Sequence, residues 1–372
     1  MKSVLLITLL VIPLSVIYAQ DPIKIDSLKI ELDNSEHDTT KYKICKELAN
    51  IYSQTDLKLA LDYSRKSLEY ALKAENKLFE DRAHITIGNV FLFLGIYDES
   101  MNNYLTALKI AQENMYQPEE LIALSHIGII KDRLGQYDAA LDYYFKALNI
   151  YNNAQENGRT LFLVQNIQSL YNNIGNIYNS KKQNEPAVRY YLKGLEIAES
   201  EKDNLNIGII CNNLGKLEIE RGNLEKGFEY LNKSLTARRQ VDDKSGIAKS
   251  YLFIANYYKI LGEYDKALEY AQMSQDIGIE MGELLTVENS SLMLFEIYQA
   301  KGEFEKALDY HIRFKNASDS LINQSKIEEM TRLQMQFEYE KSEKEKEDRH
   351  KSVRITFIGI LSAATLLIVI LS

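Results

Sequence analysis

Several residue types that would point to a particular chemistry are scarce in this chain. Its 372 residues include no tryptophan, two cysteines, four prolines and five histidines. Two cysteines are too few for a disulfide-built scaffold, and Cys45 and Cys211 are predicted to be core residues that lie far apart. His84, His126 and His311 have no second ligand three or four residues away, so no metal site is predicted.

The chain also lacks the short motifs that carry most catalytic and cofactor chemistry. It has no GxGxxG or GxxxxGK[ST] phosphate loop, and neither GxSxG nor a cysteine–histidine pair indicates a nucleophile. Its 53 acidic and 44 basic residues give a net charge of −9, which argues against a nucleic-acid partner. The sequence therefore predicts that the protein is not an enzyme and has no cofactor.

The sequence does contain an internal repeat of about 40 residues. An apolar residue followed by a small one marks six units, and a seventh unit has phenylalanine in the small position. These pairs are Leu48-Ala49, Ile87-Gly88, Ile127-Gly128, Ile174-Gly175, Leu214-Gly215, Ile254-Ala255 and Leu294-Phe295. Such a period predicts a stack of similar helical pairs, in which each unit buries its apolar face only against its neighbours.

In five units a glycine stands seven residues after the small position, and it predicts the end of a helix. A left-handed backbone is favourable there only for glycine, and the residues that follow favour a new helix. The fourth unit has Lys182 and Asn184 where the glycine and a following aromatic residue are expected, so its turn is predicted to be irregular. Seven extra residues between Ile150 and Gln168 predict a longer loop near Asn157-Gly158.

These units resemble the tetratricopeptide repeat family. The segments YNNIGNIY (171–178) and LGEYDKALEYA (261–271) are close to that family's consensus, and the resemblance covers roughly Lys41 to Phe314. The repeat is 40 residues long instead of the usual 34, so longer helices are expected. The resemblance implies an all-α solenoid of about seven helix-turn-helix units with a concave groove that binds a protein or a peptide.

The resemblance also implies which residues line that groove. In the family, the residue after the small one points into the concave face, and an asparagine amide there can bond a peptide backbone. Asn172 and Asn213 lie nearby, and Asn176, Asn213 and Lys249 match three of the five members of a carboxylate clamp known in some relatives. The alternative is that the asparagines are only family consensus. The groove prediction comprises Asn50, Asn89, Asn172, Asn176, Asn213, Lys249 and Asn256.

The two ends of the chain are apolar and predict export and membrane attachment. Residues 1–19 have a charged start, an apolar core and a small residue at the expected cut, as in a signal peptide. A lead-in at 20–40, the repeat array at 41–317 and a charged helical linker at 318–352 precede a predicted membrane helix at 353–371. This order predicts a single-pass protein of a bacterial inner membrane, with its repeats on the periplasmic side.

Two features of the C-terminal part leave alternatives open. The positive cluster of Arg349, His350, Lys351 and Arg354 lies on the repeat side of the predicted span. This placement favours the opposite orientation if the signal segment is not cleaved. The linker has apolar residues at 321, 322, 327, 330, 333 and 337. We expect these residues either to cap the last repeat or to pair with a partner. A coiled coil and a homodimer are therefore open alternatives.

The order of these parts resembles exported sensor regions of histidine kinases and DNA-binding regulators of the Bacteroidetes. The segments at 26–52 and 318–347 look like the lead-in and exit of that group. We therefore expect a membrane-anchored scaffold that binds a protein or peptide without catalysis. The alternative is the sensory half of a signal transducer whose output domain is missing or separately encoded.

Overall fold

The computed structural model describes residues 22–53, 55–157 and 167–371, and every regular element in these ranges is an α-helix. The elements in chain order are α1 (Pro22–Asn34), α2 (Asp38–Tyr52), α3 (Leu57–Lys73), α4 (Lys77–Phe93), α5 (Tyr97–Glu113), α6 (Gln117–Arg133), α7 (Tyr137–Glu156), α8 (Ile167–Ser180), α9 (Asn184–Ser200), α10 (Asn204–Glu220), α11 (Leu224–Gln240), α12 (Lys244–Ile260), α13 (Tyr264–Met281), α14 (Leu284–Ala300) and α15 (Phe304–Leu371). The predicted all-α solenoid is confirmed.

Seven helical pairs make up the array, from α2–α3 to α14 and the start of α15, and α1 packs against α2. Most helices have 17 residues and most turns have three, so two helices and two turns account for the 40-residue period. The first helices of neighbouring units contact each other along the array, for example α4 with α6 and α12 with α14. They therefore form the inner, concave side of the solenoid.

In units 2 to 7 the turn between the paired helices contains a left-handed residue, which is the predicted glycine in all but unit 4. Gly95 and Gly262 have φ of +70° and +76°, which places the following residue to start the second helix. The prediction of an irregular turn in the fourth unit is wrong, because Lys182 takes the same conformation at φ +57°. The amide of Gln183 closes this turn on the carbonyl of Tyr178 at 2.8 Å, as its counterparts do elsewhere.

A second left-handed position occurs between units, where the sequence gives little sign of it. Glu75, Met115, Lys202 and Asp242 have positive φ values between +51° and +57°. Their side chains project from exposed three-residue turns, and the turn hydrogen bonds offset the cost of a left-handed L-residue. Side chains without a branch at Cβ are therefore sufficient at this position.

The core of units 2, 3 and 4 is built on a glycine that faces a buried tyrosine ring. A Cβ atom on Gly88 would lie 2.6 Å from Tyr104, and one on Gly175 would lie 2.5 Å from Tyr191. The tyrosines that face these glycines, Tyr104, Tyr144 and Tyr191, are almost fully buried. Glycine is required because no larger residue lets the paired helices approach over the ring. Cys45 and Cys211 are buried free thiols, as predicted.

The final element, α15, begins as the second helix of unit 7 and continues without a break to Leu371. In the described ranges, no helix is both long and apolar enough to cross a bilayer. The predicted span at 353–371 falls on the end of α15, where most side chains lie outside the described residues. The predicted signal peptide at 1–19 lies entirely outside them.

A candidate ligand groove on the first helices

All seven residues predicted for the groove lie on first helices of the units. Asn50 is on α2, Asn89 on α4, and Asn172 and Asn176 on α8. The remaining three, Asn213, Lys249 and Asn256, are on α10 and α12. The side chains differ in what they contact, and this separates the groove into two parts.

In units 2 and 4 the groove asparagine holds the buried tyrosine. The hydroxyl of Tyr104 donates to Asn89 Oδ1 at 2.6 Å, and the hydroxyl of Tyr191 donates to Asn176 Oδ1 at 2.7 Å. A buried phenol needs such a partner, and its loss would leave a desolvated hydroxyl. Asn89 and Asn176 therefore have a packing role, in agreement with the alternative that the sequence left open.

A small amide network joins α8 to α10. Asn213 Nδ2 donates to Asn172 Oδ1 at 2.8 Å and lies 3.2 Å from Asn176 Oδ1. Asn172 is only 6% exposed. These three side chains satisfy one another across the unit boundary, which reduces what they can offer to a ligand. No hydrogen bond in the described part of the chain links Lys249 to this network.

Unit 6 has the same asparagine without the tyrosine. Ala271 occupies the position of Tyr191, and Ala255 replaces the glycine that would face a ring. Asn256 has no hydroxyl to bind, and no hydrogen bond from its side chain is seen among the described residues. Its amide is therefore available on the concave face.

A cavity of about 400 Å³ opens at this place, between the first helices of units 5, 6 and 7. Its floor is apolar and its rim carries amides and charges. The lining residues are Lys216, Ile219, Glu220, Lys249, Leu252, Phe253, Asn256, Lys259, Asn289, Leu292, Met293 and Glu296. The structure thus brings two of the seven predicted residues, Lys249 and Asn256, to one concave site.

The charges on the rim are unequally paired. Lys259 Nζ lies 2.5 Å from Glu296 Oε2, and Lys216 Nζ lies 3.7 Å from Glu220 Oε1. Lys249 is exposed, and the described residues place no carboxylate within ion-pair distance of it. An apolar floor beside an unpaired ammonium group and two amides suits an extended chain with a bulky side chain and a negative group.

Sequence reasoning missed most of the cavity, although the repeat contained the signal. Lys216 and Glu296 occupy, in units 5 and 7, the position that asparagine occupies in units 1, 2, 4 and 6. Asn289 follows Lys249 by one full repeat of 40 residues. Comparing equivalent positions for any polar residue, instead of asparagine alone, would have identified these side chains.

A buried charged cluster lies away from this cavity, on the first helices of units 2 and 3. Arg82 Nη2 contacts Glu119 Oε1 at 2.6 Å, which joins α4 to α6. Beside them Asp81 is fully buried, and neither of its carboxylate oxygens has a hydrogen-bond partner among the described residues. Burial, reinforced by the charge of Glu119, raises the pKa of Asp81 to about 7.

No metal site is evident in the described ranges, where no group of three or more His, Cys, Asp or Glu side chains is placed to hold an ion. Both thiols are held neutral, because burial raises the pKa of Cys45 to about 11 and that of Cys211 to about 12. Neutral buried thiols are poor nucleophiles. The cavity therefore remains the best candidate site.

Stacked helix-turn-helix units with a polar concave groove define a tetratricopeptide repeat protein. A family model described as a tetratricopeptide repeat matches residues 207–278. A second, described as the SusR N-terminal TPR domain, matches residues 17–237, more than half of the chain. The chain belongs to this family of SusR-type tetratricopeptide repeat domains. A search of curated proteins found no match.

Many solved structures share the fold. The apo quorum sensor NprR from B. thuringiensis has a TM-score of 0.63 and 19% identity, over 80% of this chain and 81% of its own. The Rap conjugation gene regulator of plasmid pLS20, in complex with the Phr* peptide, has a TM-score of 0.55 and 17% identity, over 77% of this chain and 76% of its own. Aspartyl phosphate phosphatase F from Bacillus subtilis has a TM-score of 0.57 and 16% identity, over 79% of this chain and 75% of its own. At these identities the likeness shows the fold alone.

Proposed function

We propose that this protein is a scaffold that binds a protein or peptide segment on the concave face of units 5, 6 and 7, without catalysis. The cavity between α10, α12 and α14 is the observation that carries the proposal. It combines enclosed apolar surface with polar groups that are not used in packing, whereas Asn89 and Asn176 are already bonded to tyrosines. The peptide complex of the pLS20 regulator supports this use of the fold.

The lining of the cavity indicates the chemistry of the ligand. Leu252, Phe253 and Met293 would surround one bulky apolar side chain. The amides of Asn256 and Asn289 would bond the peptide backbone on either side. Lys249 would pair with a carboxylate, either an acidic side chain or the C-terminus of the peptide. The ligand class is therefore an extended peptide with adjacent bulky apolar and acidic groups.

A library of random peptides displayed on phage provides the test. We expect selection on the full chain to enrich sequences with an aromatic or large aliphatic residue close to an acidic one. Lys249→Ala combined with Asn256→Ala should weaken a selected peptide about ten-fold or more, because one charged and one neutral hydrogen bond are lost.

The matched control changes the same residue types outside the groove. Lys109 and Asn102 are exposed on α5, a second helix, and Lys109→Ala with Asn102→Ala should leave affinity unchanged. Equal weakening by both pairs of substitutions would reject the cavity as the site. Selection that yields no groove-dependent peptide would reject peptide binding there.

We also propose that the protein is exported and held in a bacterial inner membrane by the segment 353–371, with the repeats on the periplasmic side. The apolar segments at both ends of the sequence support this placement. A reporter that is active only outside the cytoplasm should be active when fused after Asn316. Activity of a cytoplasmic reporter at that point instead would favour the orientation set by the cluster at 349–354.

A second candidate function is the sensory part of a signal transducer. The matching family model describes an N-terminal TPR domain of SusR, which supports a role in which ligand binding by the repeats is passed to another domain. Sequencing the DNA around the coding region is the direct test. A kinase or DNA-binding domain in frame with or beside this gene would favour the transducer, and its absence would favour a self-contained scaffold.

A further inference from the structure

The long helix α15 is anchored at its start in unit 7. Ala307 and Ala317 are buried there. The ring of Tyr310 stacks on that of Tyr298 with centroids 5.5 Å apart, and its hydroxyl donates to Gln272 Oε1 at 3.0 Å. These contacts fix the direction of the helix relative to α13 and α14, the last helices of the array.

Farther along, the same helix returns to the opposite end of the array. Tyr339 packs edge-on against Phe91 of α4 with centroids 5.2 Å apart, and the guanidinium of Arg65 lies 4.6 Å from its ring centroid. Met335 joins the apolar cluster of units 1 and 2, and Lys58 Nζ lies 3.3 Å from Glu338 Oε2. One face of α15 is therefore docked on the first two units.

A single uninterrupted helix thus connects the two ends of the solenoid. No glycine or proline lies between Phe304 and Ile358, so the connection has no built-in hinge. From Phe314 to Tyr339 it spans roughly 35–40 Å at 1.5 Å per residue. Because this length is fixed, α15 stays docked only while the ends of the array keep one particular separation.

We propose that α15 is a clasp whose docking on units 1 and 2 is weakened when the cavity of units 5–7 is filled. This inference rests on the proposed function of that cavity. The helix α14 forms one wall of the cavity and packs directly on α15. An occupant between α12 and α14 spreads the first helices on the concave side, which reduces the curvature of the array. The ends then move apart, and α15 cannot follow.

The docked contacts are suited to release. The side chains of Lys58 and Glu338 are 65% and 46% exposed, so their pairing is screened by water. An open cleft of about 710 Å³ separates part of α15 from the ends of α3, α4 and α6, so apolar packing along this seam is incomplete. Little free energy is needed to separate contacts of this kind. Small changes at the cavity can therefore shift the equilibrium between docked and released α15.

Paired spin labels measure docking directly. Asp62 on α3 and Lys341 on α15 are exposed and outside the contacts above, and the two native thiols are buried. Asp62→Cys with Lys341→Cys, labelled in the full chain in detergent, should give a narrow short-distance population. Tyr339→Ala should reduce that population at least about five-fold. Phe337→Ala, on the exposed opposite face, is the control and should leave it unchanged.

An internal occupant then tests the coupling without any ligand. Asn289→Trp places an indole over the cavity floor and should also reduce the short-distance population about five-fold or more. Glu269→Trp, exposed on α13, is the control and should have no effect. An unchanged distance in Asn289→Trp would overturn the coupling, and a parent chain without the short distance would overturn the clasp. Neither result affects the peptide-selection test, so failure of the clasp is distinguishable from failure of the proposed function.

Discussion

Units 2 and 4 and unit 6 begin from the same pattern and use it differently. In units 2 and 4 a glycine admits a tyrosine ring, and the tyrosine hydroxyl binds the groove asparagine. In unit 6 two alanines replace that pair, and Asn256 faces an open cavity. One exchange of side chains in the interior therefore decides whether a polar residue on the surface is part of the packing or available to a ligand.

The difference shows that a groove residue cannot be assigned a role from its repeat position alone. Asn176 and Asn256 are equivalent along the period, but the residue that follows each by 15 positions is Tyr191 in one unit and Ala271 in the other. The second helix of a unit controls what the first helix offers. Binding specificity in such an array can consequently be altered from its buried side.

The largest effect is expected from removing one of the buried rings. Tyr191→Ala should destabilise the chain by about 3–5 kcal/mol, because it leaves a cavity and removes the hydroxyl that donates to Asn176. Hydrogen exchange should show the loss mainly in units 3 to 5, since repeats couple to their neighbours. Tyr190→Ala, at a half-buried position on the same helix, should cost less. A uniform loss over all seven units would contradict this local behaviour.

Crowding the helix approach in unit 5 should have a smaller effect. A Cβ atom on Gly215 would lie 2.7 Å from Leu231 and 3.0 Å from the carbonyl oxygen of Gly227. Gly215→Leu should therefore lower the free energy of unfolding by about 1–3 kcal/mol through overpacking. Urea denaturation checks the magnitude. Gly222→Leu is not an equivalent control because of its positive φ, so Lys216→Leu on the exposed face serves instead.

Units 1 to 3 and unit 5 should also respond differently to pH. Because the pKa of Asp81 is raised from its ordinary value to about 7, the folded state holds its proton more tightly, and stability falls as pH rises from about 4 to about 7. Burial opposes ionisation of Glu218 in unit 5 as well, but hydrogen bonds from Lys226 and Asn223 outweigh it and lower its pKa. As the pH rises, units 1 to 3 should therefore lose hydrogen-exchange protection before unit 5 does.

Asp81→Asn tests this assignment, since an amide of similar size does not titrate. The pH dependence of protection in units 1 to 3 should flatten in this variant, measured by hydrogen exchange at pH 5 and pH 8. Glu220→Gln, at an exposed position of unit 5, should leave that dependence as it is. If the slope persists in Asp81→Asn, another group is responsible.

The smallest effect is expected from introducing into unit 6 the glycine and the tyrosine that units 2 and 4 contain. Ala255→Gly with Ala271→Tyr should bring a hydroxyl to Asn256, as in unit 4, and withdraw that amide from the groove. A peptide selected on the parent chain should bind about two- to ten-fold more weakly, the value of one hydrogen bond. Calorimetric titration measures this. Ala271→Tyr alone lacks the space of a glycine and should mainly reduce stability.

Much of the fold was predictable because every unit repeats the same local chemistry. The apolar–small pairs and the glycines seven residues later located the helices and most turns inside units. Lys182 was misjudged because a left-handed turn depends on its closing hydrogen bonds, and these can hold a non-glycine residue. The turns at Glu75 and Met115 were missed for the same reason.

The candidate site was less predictable than the fold. Lys249 and Asn256 were identified, but Asn89 and Asn176 were expected to face a ligand and instead bind tyrosines. Their role depends on the distance between two helices, which no single position reveals. The docking of Tyr339 on Phe91 was also not predicted, because it joins residues far apart in sequence without any repeat relation.

The junction between units 3 and 4 has a consequence for how the chain can be divided. The longer helix α7 packs against α8 less extensively than other second helices pack on the unit that follows. Complete helical pairs lie on each side of this junction, and one apolar cluster, which includes Leu148 of α7 and Ile174 of α8, joins them across it. Two separate polypeptides, ending near Asn157 and starting near Ile167, should therefore fold and reassociate, so that domain insertion or split-reporter engineering is best directed to this one place.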